Sequence, residues 1–353
     1  MPLLSRMLAT PLDIDIRPGA VAGLCELLAD RRISAHGHIA VAVGPGQGEE
    51  IAAVLAPSLS NGKLHLVEGG SLEAAHALMA ELRSGSFDAV VGIGGGRTID
   101  VAKYAATMTA LPMVAVATSL ANDGLASPVA SLTDPDGRKG SFGVHIPIAV
   151  FVDLDYVRRS PPRQRSGGIG DVLSNLSALA DWELARVEQN EPVDGLAMML
   201  ARTAAESIIG RTDGIDSTPF LTTLADALVL SGLAMSVAGN SRPCSGGCHE
   251  ISHALDTLYP GTASHGAQVG VGALFAFFLR EDEPEMTRIA SCLRRHGLPL
   301  SPADLGITEE QFTAAVVAGP ATRPDRYTIL EHLDLDLDST RKRVHAFADA
   351  FRS

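Results

Sequence analysis

The sequence predicts a two-domain chain, with an α/β N-terminal half around a mainly parallel sheet and an all-α C-terminal half. Three observations carry this expectation. Over the first ~155 residues, short β-branched runs alternate with amphipathic stretches, the pattern of strands covered by helices. The apolar runs lack a clean period-two alternation, as strands buried on both faces of a parallel sheet should. After Arg158-Arg-Ser-Pro-Pro162 the texture changes to long alanine- and leucine-rich segments, which sets the expected domains at residues 1–160 and 161–353.

The elements follow in order. His38-Ile-Ala-Val-Ala-Val43 reads as a buried strand, ended by Gly44-Pro-Gly-Gln-Gly48, and residues 49–59 read as a helix. Leu64-His-Leu-Val67 is a second strand and residues 72–84 a second helix, with alanine and leucine on one face. Residues 89–93 form a third strand, 99–108 a third helix and 113–117 a fourth strand. Asp134-Pro-Asp-Gly137 marks a hairpin, and Pro147-Ile-Ala-Val-Phe-Val-Asp153 a further strand. The second half reads as helices over 172–188, 195–209, 221–237, 250–258, 266–279, 283–296 and 340–351.

Composition excludes several functions. The 353 residues carry a net charge of −13 and no extended basic patch, which argues against a nucleic-acid partner. The N-terminal Met1-Pro-Leu-Leu-Ser-Arg6 lacks the apolar core of a signal peptide. The run from Val269 to Leu279 is broken by glycines and too short to span a bilayer, so no membrane span is expected. Cys25, Cys244, Cys248 and Cys292 lack the spacing of a disulfide scaffold, and a reducing cytoplasm is the expected location.

Two groups of residues point to chemistry. Val90-Val-Gly-Ile-Gly-Gly-Gly-Arg-Thr-Ile-Asp100 is a strand, a glycine turn and the start of a helix. Its backbone amides can approach a pyrophosphate, and the helix N-terminus favours the negative charge. Arg97 falls where the six-position dinucleotide fingerprint needs its last glycine, so the match to that motif is partial. The loop Ala117-Thr-Ser-Leu-Ala-Asn-Asp-Gly-Leu-Ala-Ser-Pro128 leaves the next strand at its carboxyl end, where open α/β sheets bind ligands. The second group is Asp171, His249 and His265. One carboxylate and two imidazoles from separate segments make an open ligand set for a zinc-type divalent ion.

Two decoys lie beside these ligands. His249-Glu-Ile-Ser-His253 matches the zinc-protease pattern, in which both histidines bind metal and the glutamate is the base. Its extended form fails, because Tyr259 stands where a third histidine belongs. A zinc protease is therefore a remote alternative. Cys244, Cys248, His249 and His253 crowd into one short stretch, with no loop between them to wrap a structural ion, and buried thiols are the expected reading.

Five ordered segments resemble a known family. They are Gly94-Gly-Gly-Arg-Thr-Ile-Asp-Val-Ala-Lys103, Ala121-Asn-Asp-Gly-Leu-Ala-Ser-Pro128, Ser166-Gly-Gly-Ile-Gly-Asp171, His249-x2-Ser-His253-Ala-Leu-Asp256 and His265-Gly-Ala-Gln-Val-Gly270. Together they resemble the sn-glycerol-1-phosphate dehydrogenases, part of the glycerol dehydrogenase/iron-containing alcohol dehydrogenase superfamily, which is also related in fold to dehydroquinate synthase. The likeness runs from about residue 38 to residue 280. It implies a Rossmann-like N-terminal domain, a helical C-terminal domain, and an active site in the cleft between them. By the resemblance, Asp171, His249 and His265 match the metal ligands, with zinc usual and nickel or iron known. Gly94, Gly95, Gly96, Arg97, Thr98, Ile99, Asp100, Thr118, Ser119, Leu120, Ala121 and Ser127 match dinucleotide contacts. Asp123 and His253 match positions at the substrate. This sequence departs from the family at Cys248, where Glu is common, and at Ala267, where His-Gly-Glu is common.

The reaction so implied is NAD(H)- or NADP(H)-linked, metal-dependent reduction of dihydroxyacetone phosphate to sn-glycerol 1-phosphate, a small phosphorylated three-carbon substrate, by a homo-oligomer. The alternatives are a polyol or alcohol dehydrogenase of the same superfamily, acting on glycerol or a specialised metabolite, and a non-catalytic nucleotide-binding protein that keeps the fold. The first strand ends Val43-Gly44-Pro45, with no carboxylate to repel a 2′-phosphate, which admits NADP(H); Glu68, ending the second, argues for NAD(H). Arg242 is the expected contact of the substrate phosphate.

Overall fold

The computed structural model describes residues 8–59 and 61–352. The expectation about residues 1–6 lies outside the described residues. The chain divides into two units. The first is residues 1–119, 124–158 and 232–240, and the second is residues 120–123, 159–231 and 241–353.

The first unit holds a six-stranded, wholly parallel sheet. Its strands are β1 (Asp13–Arg17), β2 (Ile39–Val43), β3 (Gly62–Leu66), β4 (Ala89–Gly94), β5 (Met113–Ala117) and β8 (Ala149–Asp153), in the order β1-β8-β5-β4-β2-β3. β6 (Val129–Thr133) and β7 (Lys139–Gly143) form the expected antiparallel hairpin. The helices here are α1 (Leu24–Leu28), α2 (Gln47–Leu55), α3 (Leu72–Ser84), α4 (Gly96–Met108) and α5 (Leu154–Arg159). β2, β4, β5 and β8 are buried along their whole length, which explains their continuous Val, Ile and Ala runs. Val41, Val43, Ile51, Val91, Ile93, Val114, Val116 and Phe151 belong to one buried apolar cluster. β1 was not anticipated, because Asp13-Ile-Asp-Ile-Arg17 is half exposed and charged, as an edge strand is.

The second unit is helical. It contains α6 (Pro162–Gln189), α7 (Gly195–Ile209), most of α8 (Thr218–Ala238), α9 (Gly247–Leu258), α10 (His265–Leu279), α11 (Glu283–Arg295), α12 (Glu309–Thr322), α13 (Ile329–Leu333) and α14 (Leu337–Ala350). Phe275 on α10 meets Phe312 on α12 and Phe347 on α14 edge-on, with ring centroids 5.3 and 5.1 Å apart. Burying each such ring stabilises the fold by about 1.5–3 kcal/mol. By length and a mean hydropathy of 1.7, α8 would suffice to cross a bilayer, but 61% of that apolar window is buried inside the protein. Packing accounts for its composition.

The glycines of Ser166-Gly-Gly-Ile-Gly-Asp171 lie inside α6, an unfavourable place by helix propensity. Close backbone approach explains them. A Cβ on Gly168 would come within 2.2 Å of the Leu120 carbonyl oxygen, and one on Gly170 within 2.0 Å of that of Gly266. Only a bare helix face lets the 120–121 segment and the first turn of α10 reach the backbone around Asp171.

Candidate coenzyme and metal sites

In the α/β unit the chain runs from β2 out to the edge at β3, then returns to β4 on the other side of β2. That reversal opens a crevice at the carboxyl ends of β2 and β4, the place where open α/β sheets take ligands. Both strands leave the sheet through glycine. A Cβ on Gly44 would lie 2.3 Å from Thr98 Oγ1, and one on Gly94 would lie 2.8 Å from the same atom. The two loops are therefore drawn together over a buried threonine at the first turn of α4. Gly95 is the N-cap of that helix and offers no side chain, so backbone N–H groups face outward there.

Of the residues expected at the coenzyme, Arg97 is exposed, with its stem over Gly70, where an added Cβ would come 2.9 Å from Cγ. Thr118 and Ser119 directly follow β5 and are buried, and Thr118 N–H donates to Gly94 O at 3.0 Å. Ile99 and Leu120 are buried apolar residues, so their side chains face the core. Leu120 and Ala121 group with the helical unit, against Gly167 and Gly168 of α6.

The carboxylate of Asp100 pairs with Lys103 Nζ at 3.2 Å and accepts the Ser131 N–H at 3.2 Å. Burial raises its pKa, and the adjacent Lys103 ammonium opposes that rise. Lys103, itself 1% exposed, donates to Gly124 O at 2.6 Å, to Ser127 O at 3.2 Å and to Val129 O. It is the post that fixes the loop carrying Ser127. The sequence signal for this role is a lone lysine within an otherwise apolar face of α4.

In the helical unit, Asp171 on α6, His249 on α9 and His265 at the start of α10 converge. Their ligating atoms all lie within 4.8 Å of one another. Asp171 Oδ1 is 3.9 Å from His249 Nε2 and 3.4 Å from His265 Nε2. A tetrahedral ion with bonds of about 2.0–2.1 Å holds its donor atoms roughly 3.3 Å apart, so these three suit a divalent ion of zinc size.

The atoms behind the cluster fix which lone pairs face it. Asp123 N–H donates to Asp171 Oδ2 at 2.9 Å, which leaves Oδ1 for the imidazoles. Ser252 spends its proton on Gln268 Oε1 at 2.7 Å, and Gln268 Nε2 donates to Asp256 at 3.2 Å. Ser252 Oγ therefore accepts from His265 Nδ1, 3.2 Å away, so that ring carries its proton on Nδ1 and offers a bare Nε2. Cys248 Sγ stands 3.4 Å from His249 Nδ1 in the same supporting position. Burial, then the nearby His265, His253, Arg326 and Arg323, push the His249 pKa well below the ordinary range. It is a neutral ligand in waiting. Ser252 and Asp256 sit at i, i+4 on α9, and His265 and Gln268 at i, i+3 on α10, so this support was legible as two helical pairs.

His253 lies one turn beyond His249, their ring centroids 6.4 Å apart, and is not among the three converging ligands. Glu250 turns elsewhere. It is fully buried, 3.0 Å from Thr328 Oγ1, and burial followed by the charges of Glu331 and Asp181 pushes its pKa up to about 8. The glutamate of the protease-like motif is thus packed into the helical core. Cys244 donates to Ser231 O at 3.3 Å, and burial drives the Cys248 thiol up to about 12, so both behave as buried thiols.

Asp181, ten residues beyond Asp171 on α6, was missed by sequence reasoning. It accepts from Gly247 N–H at 2.8 Å and Ile329 N–H at 2.8 Å and pairs with Arg280, pinning the start of the helix that carries His249. Arg242, expected at a substrate phosphate, is instead buried. Its Nε donates to Glu191 at 2.7 Å, its Nη2 donates to the other oxygen of that carboxylate, and Nη1 donates to Tyr327 O at 3.0 Å.

Comparison with known proteins gives the lineage. Residues 15–161 match the model of a family described as iron-containing alcohol dehydrogenase. A glycerol-1-phosphate dehydrogenase, NAD(P)+, of Methanoculleus marisnigri is 34% identical over 349 residues, covering 96% of this chain and 94% of that one. The chain belongs to the glycerol-1-phosphate dehydrogenase family. The Thermofilum pendens member is 42% identical over 251 residues, 70% of this chain and 72% of its own. Among solved structures, a probable glycerol dehydrogenase of Sinorhizobium meliloti aligns with a TM-score of 0.78 at 23% identity, covering 98% of this chain and 99% of that one. Glycerol dehydrogenase of Schizosaccharomyces pombe gives 0.77 at 22%, covering 98% and 91%. These likenesses show the iron-containing alcohol dehydrogenase fold that the sequence predicted.

Proposed function

We propose that this member of the glycerol-1-phosphate dehydrogenase family catalyses the reversible, NAD(P)H-linked reduction of dihydroxyacetone phosphate to sn-glycerol 1-phosphate, with a divalent ion, zinc, at Asp171, His249 and His265. The observation that carries this reading is the convergence of Asp171 Oδ1 with the Nε2 atoms of His249 and His265. Two imidazoles and one carboxylate suit zinc, and nickel or iron can take the same donors. When bound, the ion is a Lewis acid toward the ketone oxygen and the coenzyme is the hydride source.

The rest is the work of the chain. Asp171, His249 and His265 hold the ion, and Ser252, Cys248 and the Asp123 N–H orient them. His253 holds a substrate hydroxyl and delivers the proton that the reduced oxygen requires, with Asp123 sharing that role. The amides at the start of α4 receive the coenzyme pyrophosphate, and Lys103 keeps Ser127 in place beside them. The strand end at Val43-Gly44 has no carboxylate against a 2′-phosphate, in keeping with use of both coenzymes.

The test is coenzyme oxidation with dihydroxyacetone phosphate and with plain dihydroxyacetone, on protein stripped of metal and reloaded with zinc, nickel or iron. The expected outcome is metal-dependent turnover that favours the phosphorylated ketone and yields the sn-1 product. Preference for the plain ketone would move the chain to a polyol activity, and the opposite enantiomer would sink the proposal.

A further inference from the structure

Of the three helices that bring ligands together, α6 holds the other two. α9 begins at Gly247, and its N-cap, Gly246, has no side chain to offer the first turn. The cap comes from α6 instead. Asp181 Oδ2 accepts the Gly247 N–H at 2.8 Å, while Oδ1 accepts the Ile329 N–H at 2.8 Å and the guanidinium of Arg280. Arg280 stands at the far end of α10, the helix that begins at His265. Gly246 is extended, with φ −125°, so its backbone does not call for glycine. Space does: an added Cβ would lie 2.3 Å from Asp181 Oδ2 and 3.0 Å from Ala178 Cα.

We infer that Asp181 is a positioning residue for the ion site, setting where His249 stands relative to Asp171 through the first turn of α9. This rests on the proposed ion at Asp171, His249 and His265. A serine or aspartate at position 246 could cap α9 from its own chain but would tie it to nothing else. A carboxylate on α6 caps the helix and also fixes it to the element that carries Asp171. Ten residues of one helix separate Asp171 from Asp181, a rigid span of about 15 Å. His249 follows Gly247 by two residues and its N–H donates to Gly246 O at 2.9 Å, so the anchored turn carries the ligand. α10 is held at both ends by the same helix. Gly266 lies against the backbone of Gly167 and Gly170 beside Asp171, and Arg280 pairs with Asp181. Asp181 is fully buried, and a buried ion pair is weak evidence for stability, because desolvation offsets its attraction. Its use here is geometric, since bonds to a metal ion tolerate only about 0.2 Å.

The experiment titrates cobalt(II) into metal-stripped wild type, Asp181→Asn and Gly246→Ala, and follows the visible absorption of the bound ion, which reports affinity and ligand geometry together. Each variant is expected to bind cobalt about 10–100-fold more weakly and with an altered spectrum, the usual cost of disturbing the groups behind metal ligands. In the double variant the losses should fall short of additive, because both changes act on one contact. The thermal midpoints of the metal-free proteins are read alongside. Variants that unfold earlier yet keep the wild-type cobalt affinity and spectrum would make Asp181 a structural anchor only and overturn the inference. Fully additive losses would overturn it too, since Gly246 would then act apart from the carboxylate. Should Asp181→Asn fail to fold, Gly246→Ala, which keeps the carboxylate, decides by affinity and spectrum alone. A wild type that takes up no cobalt would overturn the ion site and this inference with it, whereas variants that match a cobalt-binding wild type overturn the inference alone.

Discussion

In the α/β unit the candidate coenzyme site is made of backbone, while in the helical unit the candidate ion site is made of side chains. Gly44 and Gly94 matter for what they lack, because an added Cβ at either would strike Thr98. Asp171, His249 and His265 matter for the atoms they present, and each is aimed by a partner of its own. The first kind of site tolerates many side chains around it but no added bulk. The second depends on its donors, and on the bare α6 glycines that let neighbouring backbone close around Asp171. This difference predicts that substitutions in the two units fail in separable ways.

The largest separation should come from His265. His265→Ala is expected to lose bound metal and to cut turnover by at least about 1000-fold, since Lewis-acid assistance is worth several kcal/mol. Coenzyme binding, followed by fluorescence, should persist. His253→Asn should instead keep its metal while losing turnover, because His253 stands outside the converging three. Metal content and kinetics measured on one preparation decide this. Metal lost in step with activity in His253→Asn would make His253 a ligand.

Much of this contrast was legible in the sequence. Glycine after a buried strand is a local signal, and the strand β5 and the helices α3 and α7 follow their apolar patterns to the residue. Asp171, His249 and His265 were legible as a donor set, because few residue types bind a zinc-type ion. What the sequence could not show is direction. Glu250 is next to His249 in the chain, yet it packs against Thr328. Arg242 is spent on Glu191, a partner 51 positions away, which no local pattern announces. α12 was overlooked because its Ala, Val, Gly and Pro320 blur the helical period, although Thr308 and Gln311 form a capping box at its start.

A middle-sized effect is expected from Gly94→Ala. The added methyl would meet Thr98 Oγ1 at 2.8 Å and Thr98 Cβ at 2.9 Å. Overpacking of this kind costs about 1–3 kcal/mol, so coenzyme KM should rise roughly 10-fold while metal content stays at the wild-type level. A coenzyme KM that does not move would show that the crevice between β2 and β4 is not where the dinucleotide binds.

The smallest effect on activity should come from Asp88, at the amino end of β4 and so at the opposite end of the sheet from the glycine turns. Its carboxylate accepts the N–H groups of His36 at 2.8 Å and His38 at 3.2 Å and the Ser34 hydroxyl at 3.1 Å, tying the approach to β2 onto the start of β4. Burial alone would raise its pKa, but those bonds, led by the His36 N–H, bring it down to about 2. The sign follows from linkage. A carboxyl more acidic folded than unfolded adds stability that is fully present above its usual value of 3.8 and lost as pH falls toward about 2. Asp88→Ala should therefore lower the denaturation midpoint at neutral pH, and the gap from wild type should narrow between pH 4 and 2. Coenzyme KM and metal content should stay unchanged. A gap that is constant with pH would mean that Asp88 acts through packing alone, whereas a shift in coenzyme KM would mean that the two ends of the sheet are coupled and that the backbone-built site depends on more than its own turns.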